Sequence, residues 1–341
     1  MLKAKNAQPL VHGGQLTKVA SQYDFPLSEW LDLSTGIAPF SYPIPEIPLS
    51  IWQNLPSDQQ ALINAAKHYY QSDYCLVSNG SQPVIELLPA LWLEKNTLPA
   101  SQITVYLPQV GYKEHQKAWQ LAGFELSFYQ DALPQHIKAN SVVVVINPNN
   151  PSGKLYELNA LIELQQRCQL QGALLVVDEA FIDVIAPSQS IIANLAENTL
   201  VLRSFGKFFG LAGIRIGFVC CQQAWYQQIK AQCGPWQVNG PALFIAEKAL
   251  LDTQWQQQQR AKLVQQQQQL SELLSSCGFE QQVGCSLFIT CYCDHAAERY
   301  QTLCQHGIYV RLTDEQDALR FGIPNTEQIK ILKERLTKIF S

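Results

Sequence analysis

Seven short runs of β-type residues alternate with helical patterns through the middle of this chain, and this alternation constrains the fold more than any other feature. The runs are residues 75–78, 103–107, 124–129, 142–146, 173–177, 199–203 and 216–221. Helical patterns lie between several of them, at residues 82–93, 113–121 and 157–170. Strands that alternate with helices form a mostly parallel sheet covered by helices on both faces. The pattern therefore predicts an α/β fold, with any ligand bound beyond the carboxyl ends of the strands.

The pattern changes after residues 240–241. A long helical stretch covers residues 242–276 and contains two glutamine runs, at 256–259 and 265–269, which we interpret as an exposed helix face. Further β-type runs follow at 287–293 and 308–312, and a helix at 326–339 closes the chain. We therefore predict a large domain over residues 41–240, and a small α/β domain formed by residues 241–341 with the N-terminal segment, residues 1–40.

Length and composition exclude several classes of protein. The 341 residues are too many for one compact core and suit two domains. The formal charge of −4 argues against a surface for nucleic acid. Residues 1–15 lack the apolar core of a signal peptide, and the apolar runs are too short to span a membrane. We therefore expect a cytoplasmic protein with no nucleic-acid or membrane partner, whose ten cysteines are reduced thiols and hold no metal ion.

One lysine, Lys207, lies four residues after the sixth β-type run in a stretch rich in glycine and aromatic residues. The pKa of a free lysine is about 10.4, and partial burial beside other cations lowers it toward nucleophilic competence. A phosphate-binding P-loop is excluded, because neither Gly153-Lys154 nor Gly206-Lys207 is followed by Ser or Thr in the required frame. On this evidence alone a catalytic and a structural role for Lys207 both stay open.

Three other strand-end turns carry polar residues. Asp178 ends a buried-type run, where a carboxylate needs a cation; a pyridinium nitrogen, a helix cap or a salt bridge would each satisfy it. Residues 147–153, Asn-Pro-Asn-Asn-Pro-Ser-Gly, have the composition of a rigid turn. Residues 78–82, Ser-Asn-Gly-Ser-Gln, lead from a β-type run into a helix whose N-terminus suits a phosphate group. An ordinary turn between a strand and a helix has the same composition, so this alternative stays open.

These four elements, in this order, resemble the class I/II aminotransferase family, whose members are fold-type I enzymes that use pyridoxal 5′-phosphate (PLP). The resemblance covers residues 12 to 340. It depends on the 147–153 turn, on Asp-Glu-Ala-Phe at 178–181, and on Ser-x-x-Lys at 204–207 with Arg215 eight residues later. It implies PLP as cofactor, and a mixed, mostly parallel seven-stranded sheet in the large domain beside a smaller α/β domain.

The resemblance also implies roles for individual residues. Lys207 would carry the cofactor as a Schiff base, Asp178 would face the pyridine nitrogen, and Tyr112 would stack on the ring; these three are the expected catalytic residues. The other cofactor contacts that the resemblance implies are Asn150 at the 3′-oxygen of the ring, and Gly80, Ser81, Gln82, Ser204 and Arg215 around the phosphate.

For the substrate, the resemblance places the α-carboxylate at Arg320, in a planar two-point geometry that guanidinium suits. Asn150 and the backbone near Gly36 and Ile37 would complete that contact. Arg311 is the first candidate for binding a substrate phosphate. His12 is the second candidate, although a structural loop histidine explains it nearly as well.

The chain departs from the family pattern at two places. Phe181 stands where many aminotransferases have a tyrosine that donates to the 3′-oxygen, and Leu55-Pro56 stands where they often have Tyr-Pro from the neighbouring subunit. Either change could alter the electronics of the ring or the phosphate contacts. Simple transamination is therefore not assured.

Within the family, the chain is similar to the L-threonine-O-3-phosphate decarboxylases of cobalamin biosynthesis. The similarity is carried by residues 12–14, 30–39, 42–45 and 178–183, with mismatches at Ala38 and around residues 109–110. It implies a homodimer that converts L-threonine O-3-phosphate to (R)-1-amino-2-propanol O-2-phosphate. Histidinol-phosphate aminotransferase remains the alternative, because it also takes a phosphorylated amino substrate and needs the same ring contacts.

Overall fold

Thirteen strands and twelve helices make up the part of the chain that the computed structural model describes, residues 12–56 and 59–340. Residues 1–11 lie outside the described residues, and so does most of the stretch, residues 1–15, in which we predicted no signal peptide. The strands are β1 (Leu31–Asp32), β2 (Cys75–Ser78), β3 (Thr104–Pro108), β4 (Glu125–Tyr129), β5 (Val142–Ile146), β6 (Leu174–Asp178), β7 (Thr199–Ser204), β8 (Gly217–Cys220), β9 (Gln281–Cys285), β10 (Phe288–Tyr292), β11 (Ile308–Tyr309), β12 (Arg311–Leu312) and β13 (Ala318–Gly322). The helices are α1 (Leu16–Ala20), α2 (Leu49–Gln53), α3 (Gln60–Tyr70), α4 (Gln82–Glu94), α5 (Lys113–Leu121), α6 (Leu158–Leu170), α7 (Phe205–Phe208), α8 (Gln223–Gln232), α9 (Gly240–Leu251), α10 (Thr253–Ser276), α11 (Ala296–Gln305) and α12 (Thr326–Phe340).

A seven-stranded sheet in the order β2-β8-β7-β6-β5-β3-β4 forms the centre of the molecule. The strands from β7 to β4 pair in parallel, whereas β8 is antiparallel to both of its neighbours. Each of the seven predicted runs coincides with one of these strands to within one residue at either end. The predicted fold class, a mixed and mostly parallel sheet, is therefore confirmed.

Helices cover both faces of this sheet. Val143 and Val145 of β5 pack into a core with residues of α3, α6 and α9, whereas Val142 and Val144 pack on the opposite face with residues of α4, α5 and α8. Successive side chains of a strand point to opposite faces, so a strand that is covered on both sides needs an unbroken apolar run. This explains why β5 reads Val-Val-Val-Val-Ile and is buried along its whole length.

A smaller α/β unit contains the C-terminal strands. Its antiparallel sheet has the order β12-β13-β10-β9, and its core includes leucines of α10, α11 and α12. The N-terminal segment joins it, because β1 pairs in parallel with β11. The predicted run at 308–312 is wrong as a single strand, since β11 pairs with β1 and β12 pairs with β13. The residue boundaries of the two domains stay a prediction.

The helix predicted over residues 242–276 is two helices, because the chain breaks at Asp252. The backbone of Asp252 leaves the helical region with φ −86° and ψ 77°. Its carboxylate then accepts a hydrogen bond from the Trp255 amide at 2.9 Å and caps α10. An Asp at this position satisfies one of the unpaired N–H groups of a helix start.

Within the described residues, no helix is both long enough and apolar enough to cross a membrane.

The glutamine runs of α10 are only partly the exposed face that we predicted. Gln256, Gln259 and Gln266 are buried, although most of the other glutamines of α10 are exposed. The Gln259 amide donates to the Phe40 carbonyl at 2.7 Å and to the Phe208 carbonyl at 3.1 Å. The prediction is wrong for these three residues. The Gln256 and Gln259 amides are buried because they donate to backbone carbonyls, whereas the buried Oε1 of Gln266 has no hydrogen-bond partner within the described residues.

Candidate active site

Two adjoining cavities lie beyond the carboxyl ends of the parallel strands, and Lys207 lines both of them. The inner cavity has a volume of about 160 Å³ and the outer cavity one of about 220 Å³. Tyr112, Asn150 and Phe181 also line both. The inner cavity further contacts Gly80, Ser81, Gln82, Asp178, Ser204 and Arg215, and the outer cavity His12, Gly36, Lys113, Arg311, Asp314 and Arg320.

Lys207 lies on α7, directly after β7. Its backbone carbonyl accepts a hydrogen bond from the Ala38 amide at 2.9 Å, which ties the N-terminal segment to this lysine. Burial and the positive charges of Arg320 and Arg215 together lower the pKa of its amine to about 8, although Asp178 acts in the opposite direction. About a tenth of the amine is therefore neutral near pH 7, far more than for a free lysine, and the neutral form is the nucleophile.

Asp178 is the last residue of β6, and its carboxylate is fixed from two sides. Oδ2 lies 2.8 Å from Nε2 of His115, and Oδ1 accepts from the Ala180 amide at 3.1 Å. His115 lies on α5 and is buried. We did not predict it; its place three residues after Tyr112 was the only signal in the sequence. The pair holds the Asp178 carboxylate in one orientation at the wall of the inner cavity.

Groups that suit an anion form a cradle in the wall of the inner cavity. Gly80 has φ +81°, a backbone conformation that favours glycine, and a Cβ added there would lie 3.0 Å from Nη2 of Arg215. The next residues begin α4, whose first amides have no partner within the helix. Ser204 and Arg215 line the same cavity. Helix amides beside a guanidinium and hydroxyls suit a phosphate group.

Arg320 is a buried guanidinium on β13 with no carboxylate partner among the described residues. It donates to Asn150 Oδ1 at 2.5 Å and to the Ser34 carbonyl at 2.7 Å, and its buried Nε has no partner within the described ranges. Burial and the nearby positive charge of Arg311 together lower its pKa to about 10. Because a buried charge is costly unless it is paired, this site favours an anion.

Arg311 lies beside Arg320 on the neighbouring strand, since the two residues are register partners across β12 and β13. Directly opposite residues on adjacent strands point to the same face of a sheet. Nη2 of Arg311 lies 2.5 Å from Oδ1 of Asp314, and Lys113 Nζ lies 3.1 Å from Glu315 Oε1. The outer cavity therefore has two adjacent guanidinium groups, of which only Arg311 is paired with an acid.

The remaining predicted residues lie around these groups. His12 lines the outer cavity, and its Nε2 lies 2.9 Å from Oε1 of Glu114, a residue that we did not single out. Gly36 lines the outer cavity too, and a Cβ there would lie 2.8 Å from the Phe181 ring. Ile37 lines neither cavity. The structure thus brings together every predicted site residue except Ile37, while their individual roles stay predictions.

A model of the family described as aminotransferase class I and II matches residues 52–336. The chain belongs to this family. Among curated proteins, the chain is 39% identical over 319 residues to a threonine-phosphate decarboxylase of Pseudomonas aeruginosa, covering 93% of this chain and 94% of the relative. It is 35% identical over 325 residues to another from Sinorhizobium sp, covering 92% and 93%. It is 30% identical over 303 residues to a histidinol-phosphate aminotransferase of Blochmanniella floridana, covering 82% of each.

Solved structures share the fold at lower identity. A histidinol-phosphate aminotransferase from Sinorhizobium meliloti in complex with PLP has a TM-score of 0.80 at 18% identity, covering 98% of this chain and 95% of that one. The L-threonine-O-3-phosphate decarboxylase from Porphyromonas gingivalis has a TM-score of 0.71 at 17% identity, covering 96% and 95%. At these identities the structures support the fold alone, which agrees with the fold that we predicted.

PLP is the cofactor of this family, and the inner cavity of this chain fits it. The cavity combines an amine of lowered pKa, a fixed carboxylate and a phosphate-type cradle, and one tyrosine ring lines its wall. These are the groups that the aldehyde, the pyridine nitrogen, the phosphate and the ring face of PLP require. The chain is therefore a PLP-dependent enzyme, as its sequence predicted.

Proposed function

We propose that this enzyme decarboxylates L-threonine O-3-phosphate to (R)-1-amino-2-propanol O-2-phosphate. The observation that carries the proposal is the pair of guanidinium groups, Arg311 and Arg320, that point to the same face of the small sheet and line the outer cavity beside Lys207. Arg320 has no acid among the described residues and Arg311 pairs only with the partly exposed Asp314, so the two guanidinium groups suit a substrate with two anionic groups. Threonine phosphate has two such groups on neighbouring carbons, since Cα bears the carboxylate and the amine and Cβ bears the phosphate ester.

Each arginine suits a different anionic group. Arg320 is the more deeply buried of the two and is fixed by Asn150, which also lines the inner cavity; this supports its role in binding the α-carboxylate. Arg311 is the more exposed of the two, and His12 lines the same cavity, which supports their role in binding the phosphate. The buried carboxylate contact would set the angle at which the Cα–carboxylate bond meets the cofactor ring.

The chemistry divides between the cofactor and the chain. When bound, PLP supplies an electron sink for the electron pair that stays on Cα as the carboxylate leaves as CO2. Asp178, fixed by His115, would hold a proton on the pyridine nitrogen. The Lys207 amine, once protonated, would deliver the proton that replaces the carboxylate at Cα. Phe181 has no hydroxyl that could donate to the cofactor ring, so its role is packing. Its ring lies nearly perpendicular to that of Phe288, with the two ring centroids 5.2 Å apart.

The relatives support decarboxylation over transamination. The two threonine-phosphate decarboxylases named above are 39% and 35% identical to this chain over more than nine-tenths of its length, whereas the histidinol-phosphate aminotransferase is 30% identical over 82%. By its relatives' activity the enzyme would serve cobalamin biosynthesis, and we propose that it does so in the cytoplasm.

We further propose that the enzyme is a homodimer. Four large apolar side chains between residues 44 and 55 are more than 60% exposed: Ile44, Leu49, Trp52 and Leu55. Leu55 also lines an apolar cleft against Phe244 of α9. Large apolar side chains that are exposed at several nearby positions of a chain are typical of an interaction site. A second copy of the chain is the partner that a two-fold interface would place there.

The decisive experiment compares two substrates with the purified, PLP-loaded enzyme. Threonine phosphate alone should release CO2 with no amino acceptor present, and unphosphorylated threonine should react much more slowly. Histidinol phosphate with 2-oxoglutarate should give little glutamate. Brisk glutamate formation without CO2 from threonine phosphate would contradict the proposal and favour the aminotransferase.

A further inference from the structure

A buried carboxylate, Glu114, lies behind the walls of both cavities and lines neither of them. It lies on α5, and its side chain is 8% exposed. Oε1 lies 2.9 Å from Nε2 of His12, and Oε2 accepts from Nε2 of Gln82 at 3.1 Å. Lys117 lies 3.2 Å from Oε2 on the solvent side. One carboxylate therefore contacts a residue of the outer cavity and a residue of the inner cavity.

The direction of each hydrogen bond follows from the neighbouring groups. A carboxylate can only accept, so Nε2 of His12 donates to Glu114, and in the protonated ring Nδ1–H is then the donor available to a phosphate oxygen of the ligand. Nε2 of Gln82 lies 2.8 Å from Glu86 Oε1 as well as near Glu114, so this amide nitrogen is turned toward two acids. Gln82 Oε1 then accepts from the Tyr112 hydroxyl at 3.2 Å. The result is a continuous hydrogen-bonded chain from His12 to Tyr112.

The charges of the chain are consistent with this direction. Burial raises the pKa of Glu114, but the hydrogen bonds from Lys117, His12 and Gln82 outweigh burial and lower it overall. Burial, together with the charges of Asp178 and Glu114, raises the pKa of Tyr112, which keeps its phenol neutral and able to donate. The ionised Glu114 carboxylate thus fixes the two groups that donate to it, Nε2 of His12 and Nε2 of Gln82.

We propose that Glu114 is a positioning residue that orients His12 toward the phosphate group of the substrate and, through Gln82, holds the Tyr112 ring against the cofactor. It touches neither substrate nor cofactor itself. The identity of the phosphorylated substrate rests on the proposed function. The positioning of His12 does not, because it concerns any phosphate monoester bound in the outer cavity.

Two conservative variants separate positioning from general support of the fold. In Glu114→Gln, the side chain has one acceptor and one donor group, so it cannot accept from His12 and from Gln82 together. Glu86→Gln is the matched control, because Glu86 accepts from the same Gln82 nitrogen and does not contact His12. Both substitutions keep the size of the side chain.

The first measurement is the affinity of the PLP-loaded enzyme for isopropyl phosphate, a phosphate monoester without amine or carboxylate, by titration calorimetry. Loss of one oriented hydrogen-bond donor should weaken binding about threefold to tenfold in Glu114→Gln and less than about twofold in Glu86→Gln. In a His12→Gln background, Glu114→Gln should have no further effect. Independent, additive effects of His12→Gln and Glu114→Gln would overturn the proposal, as would equal weakening by Glu86→Gln.

The second measurement distinguishes substrates. Glu114→Gln should lower kcat/KM about threefold to tenfold more for threonine phosphate than for unphosphorylated threonine, because only the phosphate ester uses the His12 contact, whereas both substrates share the loss at Tyr112. Equal losses for both substrates would mean that Glu114 only supports the fold, and would overturn the proposal. If the wild-type enzyme released no CO2 from threonine phosphate while the coupling between His12 and Glu114 persisted, the proposed function would fail and the positioning role would stand.

Discussion

Replacing Arg311 by alanine should reduce kcat/KM for threonine phosphate much more than for threonine. A hydrogen bond to a charged group contributes about 1.5–3 kcal/mol. In the protein without substrate, however, Arg311 already pairs with Asp314 at 2.5 Å, and the two side chains are 16% and 38% exposed. An exposed pair of this kind contributes about 0.5 kcal/mol, which the substrate phosphate must replace. The net loss is then about 1–2.5 kcal/mol, or about fivefold to seventyfold in kcat/KM.

The assay is the initial rate of CO2 release from carboxyl-labelled substrates, with threonine and threonine phosphate measured on the same preparations. Asp314→Asn is the matched variant, since it removes the acid that competes for Arg311 and keeps the size of the side chain. It should improve kcat/KM for the phosphate ester about twofold. Two results would rule out the phosphate-binding role of Arg311. One is an equal loss of turnover for both substrates in Arg311→Ala, and the other is a lower kcat/KM for the phosphate ester alone in Asp314→Asn.

Three further outcomes follow from the structure. Arg320→Ala should lower kcat/KM about a hundredfold for threonine and threonine phosphate alike, because it removes the carboxylate contact that both share; a loss confined to the phosphate ester would exchange the roles of the two arginines. Because burial lowers the pKa of Lys207 to about 8, the rate at which the apoprotein attaches PLP, followed by absorbance, should rise with pH through a midpoint near that value; a midpoint near the ordinary 10.5 would contradict the buried amine. Light scattering should give twice the 38.3 kDa monomer mass, and Trp52→Glu should shift the protein toward the monomer, whereas a monomeric wild type at micromolar concentration would refute the homodimer.

The sequence predicted the central sheet well, because its strands are covered on both faces. Burial on both sides demands unbroken apolar runs such as residues 142–146, which are easy to recognise between helical patterns. The small sheet was harder. β9 contains Gln281, Gln282 and Gly284, and β13 contains Arg320, so neither strand has an apolar run that would identify it. The break at Asp252 was missed since an Asp inside a helical pattern is a weak signal until its capping contact is known.

The resemblance predicted the residues that would contact the cofactor or the substrate. It missed the residues that contact and fix those residues in turn. Lys207, Asp178 and Arg320 come from motifs of fixed spacing. His115 and Glu114 act through contacts with residues far away in the chain, 63 and 102 positions distant. Only the folded structure brings such pairs together. The buried Gln259, which bonds the carbonyl of the residue after Lys207, was hidden for the same reason inside a run of identical residues.

The fate of the substrate's carboxyl carbon and Cα tests the central claim most directly. Threonine phosphate labelled with ¹³C at the carboxyl carbon would be incubated with the PLP-loaded enzyme in deuterated water and followed by NMR. The account predicts that all of the label appears as CO2 and bicarbonate, while the product keeps its phosphate and gains one deuterium at the carbon that bore the carboxylate. A labelled keto acid that keeps its carboxyl carbon would contradict it.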